Sequence, residues 1–247
     1  MASRKRGNDS TDRARRSSKA VPSVWIFTEG TLTEPQYIDI VRDLRDPDIP
    51  LAVHIANDER TLGGTKGSAR PTHSRKPLDL LDQAVTKLRE ENRKARREAW
   101  GVPPRGISRW TTVWCLFDRD QHEGVDEVMR VARKMKERNE GLEVAYSHPC
   151  FELWRLLHHK DYTSTFGGVC DDAAKRLPFV TPRTSKEDAK VVLPEQILKE
   201  HSDGYAKAKA RAQRMNAQHG DHALHSNRDP YTDVWRFVEE GLLVTDY

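Results

Sequence analysis

At 247 residues the chain has the length of one large domain, or of a core with an extension. Charged residues make up 32% against 36% hydrophobic, and no stretch approaches the ~20 consecutive apolar residues of a membrane span. Six Trp, six Tyr and six Phe are enough to anchor a core, which excludes a wholly disordered chain. The net charge of +4 is unevenly placed: residues 1–20 hold seven basic and two acidic side chains, leaving the other 227 residues at −1. Charge alone therefore does not mark the body of the chain as a nucleic-acid binder.

Residues 1–21 read as a disordered Ser/Arg/Lys tail, either a phosphate-holding arm or a solvated leader. The tail lacks the apolar segment of a secretory signal, and Cys115, Cys150 and Cys170 form no CxxC pair. Both features favour a cytoplasmic protein with free thiols.

Val24 to Thr28 is a short run of β-formers ending in the turn signal Glu29-Gly30. Thr33-Glu34-Pro35 then opens a helix, with Thr33 as its cap and Tyr37, Ile40, Val41 and Leu44 at helical spacing. Leu51 to Ala56 reads as a second strand, and Leu62 to Ser74, with three Gly, as a flexible loop. From Pro77 to Ala99 the spacing of Leu78, Leu81, Ala84, Val85 and Leu88 predicts a long amphipathic helix. Its charged second half, Arg89 to Arg97, is expected to project into solvent.

Thr111 to Phe117 is the clearest buried strand. Asp118-Arg119-Asp120 follows it, then a helix through Val125, Val128, Met129, Ala132 and Met135. Leu142 to Tyr146 is a further strand and Phe151 to His159 a short apolar helix. Strand and helix thus alternate over residues 22–160, predicting an α/β core with a mostly parallel sheet flanked by helices. Residues 161–247 read as a mainly helical extension packed on that core. Pro194 to Gln218 forms one or two helices broken near Asp203-Gly204, and Tyr231 to Leu243 a final helix.

Ligands of parallel α/β sheets collect at the carboxyl ends of the strands. Glu29 follows the first strand, Asp118 and Asp120 follow the central one, and Glu152 follows the Leu142–Tyr146 strand. Two residues apart in extended backbone, Asp118 and Asp120 would face the same side. Crowded carboxylates repel, and a hard divalent cation, Mg²⁺ or Mn²⁺, is their usual neutraliser. Glu29, on another strand, would then serve as general acid or base beside the Asp pair. A bland alternative has Asp118 and Asp120 merely capping the next helix. For Glu152 the alternative is a buried partner of Arg155 or of a backbone amide.

The order Glu, then Asp-x-Asp after a hydrophobic strand, resembles the Toprim fold of topoisomerases, primases and OLD-type nucleases. Three stretches resemble the RloB-like family more closely. Glu29-Gly30-Thr31-Leu32-Thr33-Glu34-Pro35-Gln36-Tyr37 is similar to its EGxxTExxY opening. Ser147 to His158 is similar to its S-x-P-x-FE-x-W-x-LLH block, and Asn227 to Thr232 to its NP-x-T element, with Asp229 inserted. The resemblance implies a Toprim-like nuclease core. Glu29 would be its acid/base, Glu29, Asp118 and Asp120 its metal ligands, and Glu152 a further ligand or an orienter of water. It also implies a bacterial anti-phage effector cleaving RNA such as tRNA, or DNA, under the control of an AAA- or ABC-type ATPase encoded nearby. The chain has no GxxxxGK[ST] loop of its own; Gly63 to Gly67 has the wrong spacing.

Other readings remain. His219, His222 and His225 have suggestive spacing for zinc but lack a defined four-ligand set. His148 and His158 read as structural, with His158 able to meet a phosphate if protonated. Lys186 and Lys190 are candidate phosphate contacts on a loop. A non-catalytic regulatory or sensor subunit of an ATPase-containing complex is the main alternative function. A topoisomerase-like or nucleotidyl-transfer activity would need partner modules that the chain lacks. Homo-oligomerisation is open.

Overall fold

The computed structural model describes residues 20–56, 75–98, 100–105, 107–120 and 122–247. Residues 1–19 of the basic tail expected over 1–21, and the glycine-containing loop from Leu62 to Ser74, lie outside the described residues. The strands are β1 (Ser23–Thr28), β2 (Ala52–Ile55), β3 (Thr111–Asp118), β4 (Leu142–His148) and β5 (Tyr231–Thr232). The helices are α1 (Thr33–Arg42), α2 (Pro77–Arg97), α3 (Val125–Glu137), α4 (Glu152–Leu157), α5 (Cys170–Lys175), α6 (Lys186–Lys190), α7 (Gly204–Asn216) and α8 (Val234–Arg236).

The sheet runs in the order β2-β1-β3-β4-β5. Its first four strands are parallel and β5 is antiparallel to β4. The alternation of side chains along β3 divides the core. Trp114 and Leu116 face a cluster that includes Tyr37 of α1, Trp154 of α4, Ala208 of α7 and Val234 of α8. Val113, Cys115 and Phe117 face the opposite cluster, built on Leu80, Leu81, Ala84 and Leu88 of α2 and Val125 and Val128 of α3. The result is an α/β sheet covered by helices on both faces.

Several local expectations change. The inner face of α2 runs through Pro77, Leu80, Leu81, Ala84 and Leu88, while Leu78 is 41% exposed. Pro77 starts the helix, and the residues one turn on, not its neighbour, meet the sheet. Thr33 does not cap α1; its hydroxyl donates to Lys190 O at 3.0 Å and ties α1 to α6. Lys186 and Lys190 bound that helix rather than lying on a loop. Of Pro194 to Gln218, the first part is a 3₁₀ turn over Pro194–Gln196, and the long helix starts at Gly204.

Tyr231 and Thr232 do not open the final helix. They pair with His148 and Ser147 as β5, and Thr232 exchanges hydrogen bonds with the Asn216 side chain. Pairing with β4 satisfies backbone groups at the sheet edge that a helix there would leave open. The helical path starts only at Val234 and passes into a π-type turn over Phe237–Gly241.

Residues after 161 share the first core cluster with β1 and β3, so the extension completes one face of the sheet. No helix among the described residues is long and apolar enough to cross a membrane.

Trp154 joins these layers. It is fully buried, its Nε1–H donates to Tyr37 Oη at 2.8 Å, and its ring meets those of His158 and Tyr205. Trp154→Ala removes that volume and one of the two hydrogen bonds of the Tyr37 hydroxyl, which keeps Tyr247 as partner, so urea denaturation should show a loss of about 3–5 kcal/mol. A loss below about 1 kcal/mol would mean that Trp154 does not join the layers.

Candidate active site

The parallel register builds the site. Thr28 of β1 lies opposite Leu116 of β3, so Glu29 and Asp118 emerge side by side at the carboxyl ends of adjacent strands. The Glu29 backbone N–H donates to Leu116 O, and its Oε2 accepts from the Asp118 N–H at 3.0 Å. Beyond β3 and β4 the chains stay together: Arg119 N–H donates to Ser147 O and Asp120 N–H to Pro149 O. That pairing carries the Asp-x-Asp turn against the segment leading into α4, whose first residue is Glu152.

Glu29, Asp118, Asp120 and Glu152 all line one cleft of about 580 Å³. The four carboxylates expected from the sequence thus come together at the expected edge. They are not equivalent. Asp120 is exposed and sits at a positive φ of 32°, so the pair does not continue in extended backbone. Asp118 keeps some surface open to the cleft while protein surrounds it on the other sides. Glu152 is 7% exposed and makes no ion pair with Arg155 among the described residues. The Arg155 guanidinium instead donates to Ala189 O, Val191 O and Gln196 Oε1. Glu152 adds its charge to that of Glu34 and Asp118, and its field also reaches Arg155.

Two members are missing from the sequence-based set. Glu34, in the first turn of α1, is 3% exposed and its Oε1 accepts from the Gly30 N–H at 3.0 Å. A Cβ at position 30 would stand 1.9 Å from Glu34 Oε2, so any side chain there would displace the Glu34 carboxylate. His122 Nε2 lies 2.7 Å from Glu29 Oε1, while Arg119 donates to the His122 carbonyl and steadies that loop. The signal for Glu34 was its place in the Thr-Glu-Pro helix start. His122 had none, because a loop histidine four residues past Asp118 gains meaning only when β1 is brought alongside.

Charge crowding dominates the electrostatics. Burial raises the Glu34 pKa to about 7, with Glu152 and Glu29 adding to the rise against two backbone N–H groups. Burial pushes Asp118 well above the usual carboxylate range, reinforced by Glu34, Glu29 and Glu152. Glu29 is raised by burial too, but the Asp118 N–H and His122 hold it back. Arg75 donates to Thr28 O and Gly30 O at the rim, and Lys190 lines the same cleft.

Among the described residues no three His, Cys, Asp or Glu side chains are assembled as a metal-holding group. The donor chemistry nonetheless fits a hard divalent cation: every candidate donor is a carboxylate oxygen, and several are destabilised in the charged form. Mg²⁺ commonly takes only one or two carboxylates and fills the rest of its shell with water and substrate oxygens. Asp118 and Glu152 or Asp120 would hold it here, with Glu29 engaged by its hydrogen bonds.

The other candidates fall away from the cleft. His158 is fully buried between Trp154 O and the Tyr247 hydroxyl, and burial lowers its pKa to about 3. It stays neutral and meets no phosphate. His148 is buried beside Tyr146. His219 bonds Pro230 O, His225 packs on Tyr231 and His222 is exposed, so the three do not converge. All three cysteines are free.

An α/β protein with an acidic cleft at the carboxyl ends of its parallel strands is the class that fold and site define. A family model described as RloB-like protein matches residues 24–240, and the chain belongs to that family. No curated protein and no solved structure matches it.

Glu34 makes stability depend on pH. Its folded pKa of about 7 lies above the ordinary glutamate value of 4.5, so its contribution is full below about pH 4.5 and is lost as pH rises through 7. Glu34→Gln stays neutral. In metal-free buffer it should gain on wild type by about 3 kcal/mol between pH 5 and pH 8. Chemical denaturation at the two pH values reads this directly. Parallel stability curves for the two proteins would show that Glu34 is not held in the charged state at a cost.

Proposed function

We propose that this chain is a metal-dependent nuclease of the Toprim type. In this reading it cleaves phosphodiester bonds in RNA such as tRNA, or in DNA, as the effector of a bacterial anti-phage system controlled by a partner ATPase. One observation carries the proposal: Glu29, anchored on the Asp118 N–H and on His122, stands beside an enclosed Asp118 in a cleft shared with Asp120 and Glu152. Family membership supports it, and the RNA or DNA substrate, the defence role and the ATPase rest on the sequence resemblance.

In hydrolysis the oxygen of a water bonds to phosphorus as the bond to the leaving sugar oxygen breaks. Glu29 is placed to take the proton of the entering water or to supply one to the leaving oxygen. Its raised pKa brings it closer to the range where acid/base exchange is efficient near neutral pH. His122 fixes the orientation of that carboxylate. A divalent ion held by Asp118 with Glu152 or Asp120 would supply Lewis-acid stabilisation of the phosphoryl oxygens. Lys190 offers a positive charge to the substrate at the mouth of an otherwise acidic cleft.

Labelled tRNA, single-stranded DNA and duplex DNA incubated with Mg²⁺ or Mn²⁺, with EDTA as control and with or without the ATPase, test this reading. Metal-dependent cleavage should fall by about 10²–10⁴-fold in Glu29→Gln and in Asp118→Asn. His122→Ala should cost less, since it removes an orienting partner and not the proton carrier. Cleavage that survives both carboxylate substitutions, or no cleavage under any condition, would leave the regulatory-subunit reading in its place.

Metal binding has a separate readout. Millimolar Mg²⁺ should raise the melting temperature at pH 8 more than at pH 5.5, because protons compete for the same oxygens, and Asp118→Asn should abolish the rise. An equal rise in wild type and Asp118→Asn would place the ion elsewhere.

A further inference from the structure

At the opposite edge of the sheet, where β3 begins, lies a second cleft of about 660 Å³ between the last turns of α2 and α3. With about 3.3 Å per residue, the eight-residue β3 separates it from the carboxylate cleft by roughly 25 Å. As expected, Arg89 to Arg97 is largely exposed to solvent, but its arginines also line this cleft. Arg89, Arg93 and Arg96 line one wall at spacings of four and three, so they share a face of α2. All three are exposed, and none has an ion-pair or hydrogen-bond partner among the described residues.

The nearby acids are spoken for. Glu90 and Glu91 turn to Lys87, and Glu98 accepts from Trp100 Nε1. Arg138 adds a further cation from the end of α3, set against the solvent-exposed Glu140 at 3.8 Å. A chain whose body is close to neutral has thus gathered the three α2 arginines, without ion-pair partners among the described residues, and Arg138, paired with Glu140, along one groove.

Trp100 and Trp110 complete the wall. Their ring centroids are 5.3 Å apart with planes tilted by 58°, and both are half-buried. The Trp110 Nε1–H donates to Gly101 O, which holds that indole in place. An apolar platform of this size, rimmed by arginines, fits a polyanion that also carries flat rings.

We infer that this groove is a binding site for a single strand of nucleic acid. Phosphates lie on the α2 arginines, whose planar forks match phosphate oxygens, and an unpaired base rests against the paired indoles. An acidic peptide would use the arginines but gain nothing from the indole faces. A duplex keeps its bases stacked inside and leaves the indoles without a partner. The inference goes beyond the cleavage reading, because binding at this edge requires neither Glu29 nor Asp118. For a nuclease, such a site would grip substrate away from the carboxylates.

Fluorescence anisotropy with the full-length chain and labelled single-stranded RNA and DNA of about 15 nucleotides, in EDTA, tests it. The triple substitution Arg89→Gln, Arg93→Gln, Arg96→Gln retains good helix formers on an exposed face, and melting curves verify its fold. It should weaken binding at least tenfold near 0.1 M salt. The slope of log K against log salt should shrink by about two, the value for three single-strand phosphate contacts. Residual binding then reports the basic tail. Trp100→Leu should weaken binding about fivefold or more without changing that slope.

Groove binding is read in EDTA and cleavage in Mg²⁺, so a failed cleavage assay and a failed groove remain distinguishable. Unchanged affinity in the triple variant, or no binding by wild type, overturns the inference. So does a polyglutamate peptide that binds as tightly as the nucleic acids, which would make the groove a site for acidic protein.

Discussion

Everything at the active edge depends on the parallel pairing of β1 with β3. That register sets Glu29 one residue short of Asp118 and lets the Asp118 backbone N–H serve as the anchor of the Glu29 carboxylate. A shift of one residue would turn Glu29 to the other face of the sheet and break the hydrogen bond. The hydrophobic alternation of β3 holds the register, since Trp114 and Leu116 must meet one helical layer while Val113, Cys115 and Phe117 meet the other.

The same arrangement is costly in the free protein. Glu29, Glu34, Asp118 and Glu152 approach one another in an enclosed cleft, and burial with mutual repulsion raises the proton affinity of the first three. Backbone N–H groups offset part of this at Glu29 and Glu34. The rest is a standing attraction for positive charge, whether proton, cation or lysine. Stability is given up locally and supplied elsewhere, chiefly by the layer around Trp154, Tyr37 and Tyr205.

Two edges of one sheet carry opposite characters. The carboxyl ends gather acids around Gly30 and the Asp118 turn. The amino ends gather arginines from α2 and α3 around two indoles. Long parallel strands make that separation possible, because each edge is served by different loops. Acid and base can then be concentrated without neutralising each other.

Much was legible in the sequence because it was local. The helical and strand periods gave the alternation from Val24 to His158, and strand ends placed Glu29, Asp118 and Glu152 at one edge. The buried run from Thr111 to Phe117 announced the central strand. What the sequence could not decide depends on contacts between distant residues. Glu34 counts in the cleft only because Asp118 and Glu152, distant in sequence, are brought near it, and His122 matters only once its loop meets Glu29. Tyr231 and Thr232 carry too weak a local preference to declare an antiparallel strand; the open edge of β4 makes them one. Local propensity and periodicity are written along the chain. Pairing, burial and the balance of charge arise only when segments far apart in sequence exclude water between them.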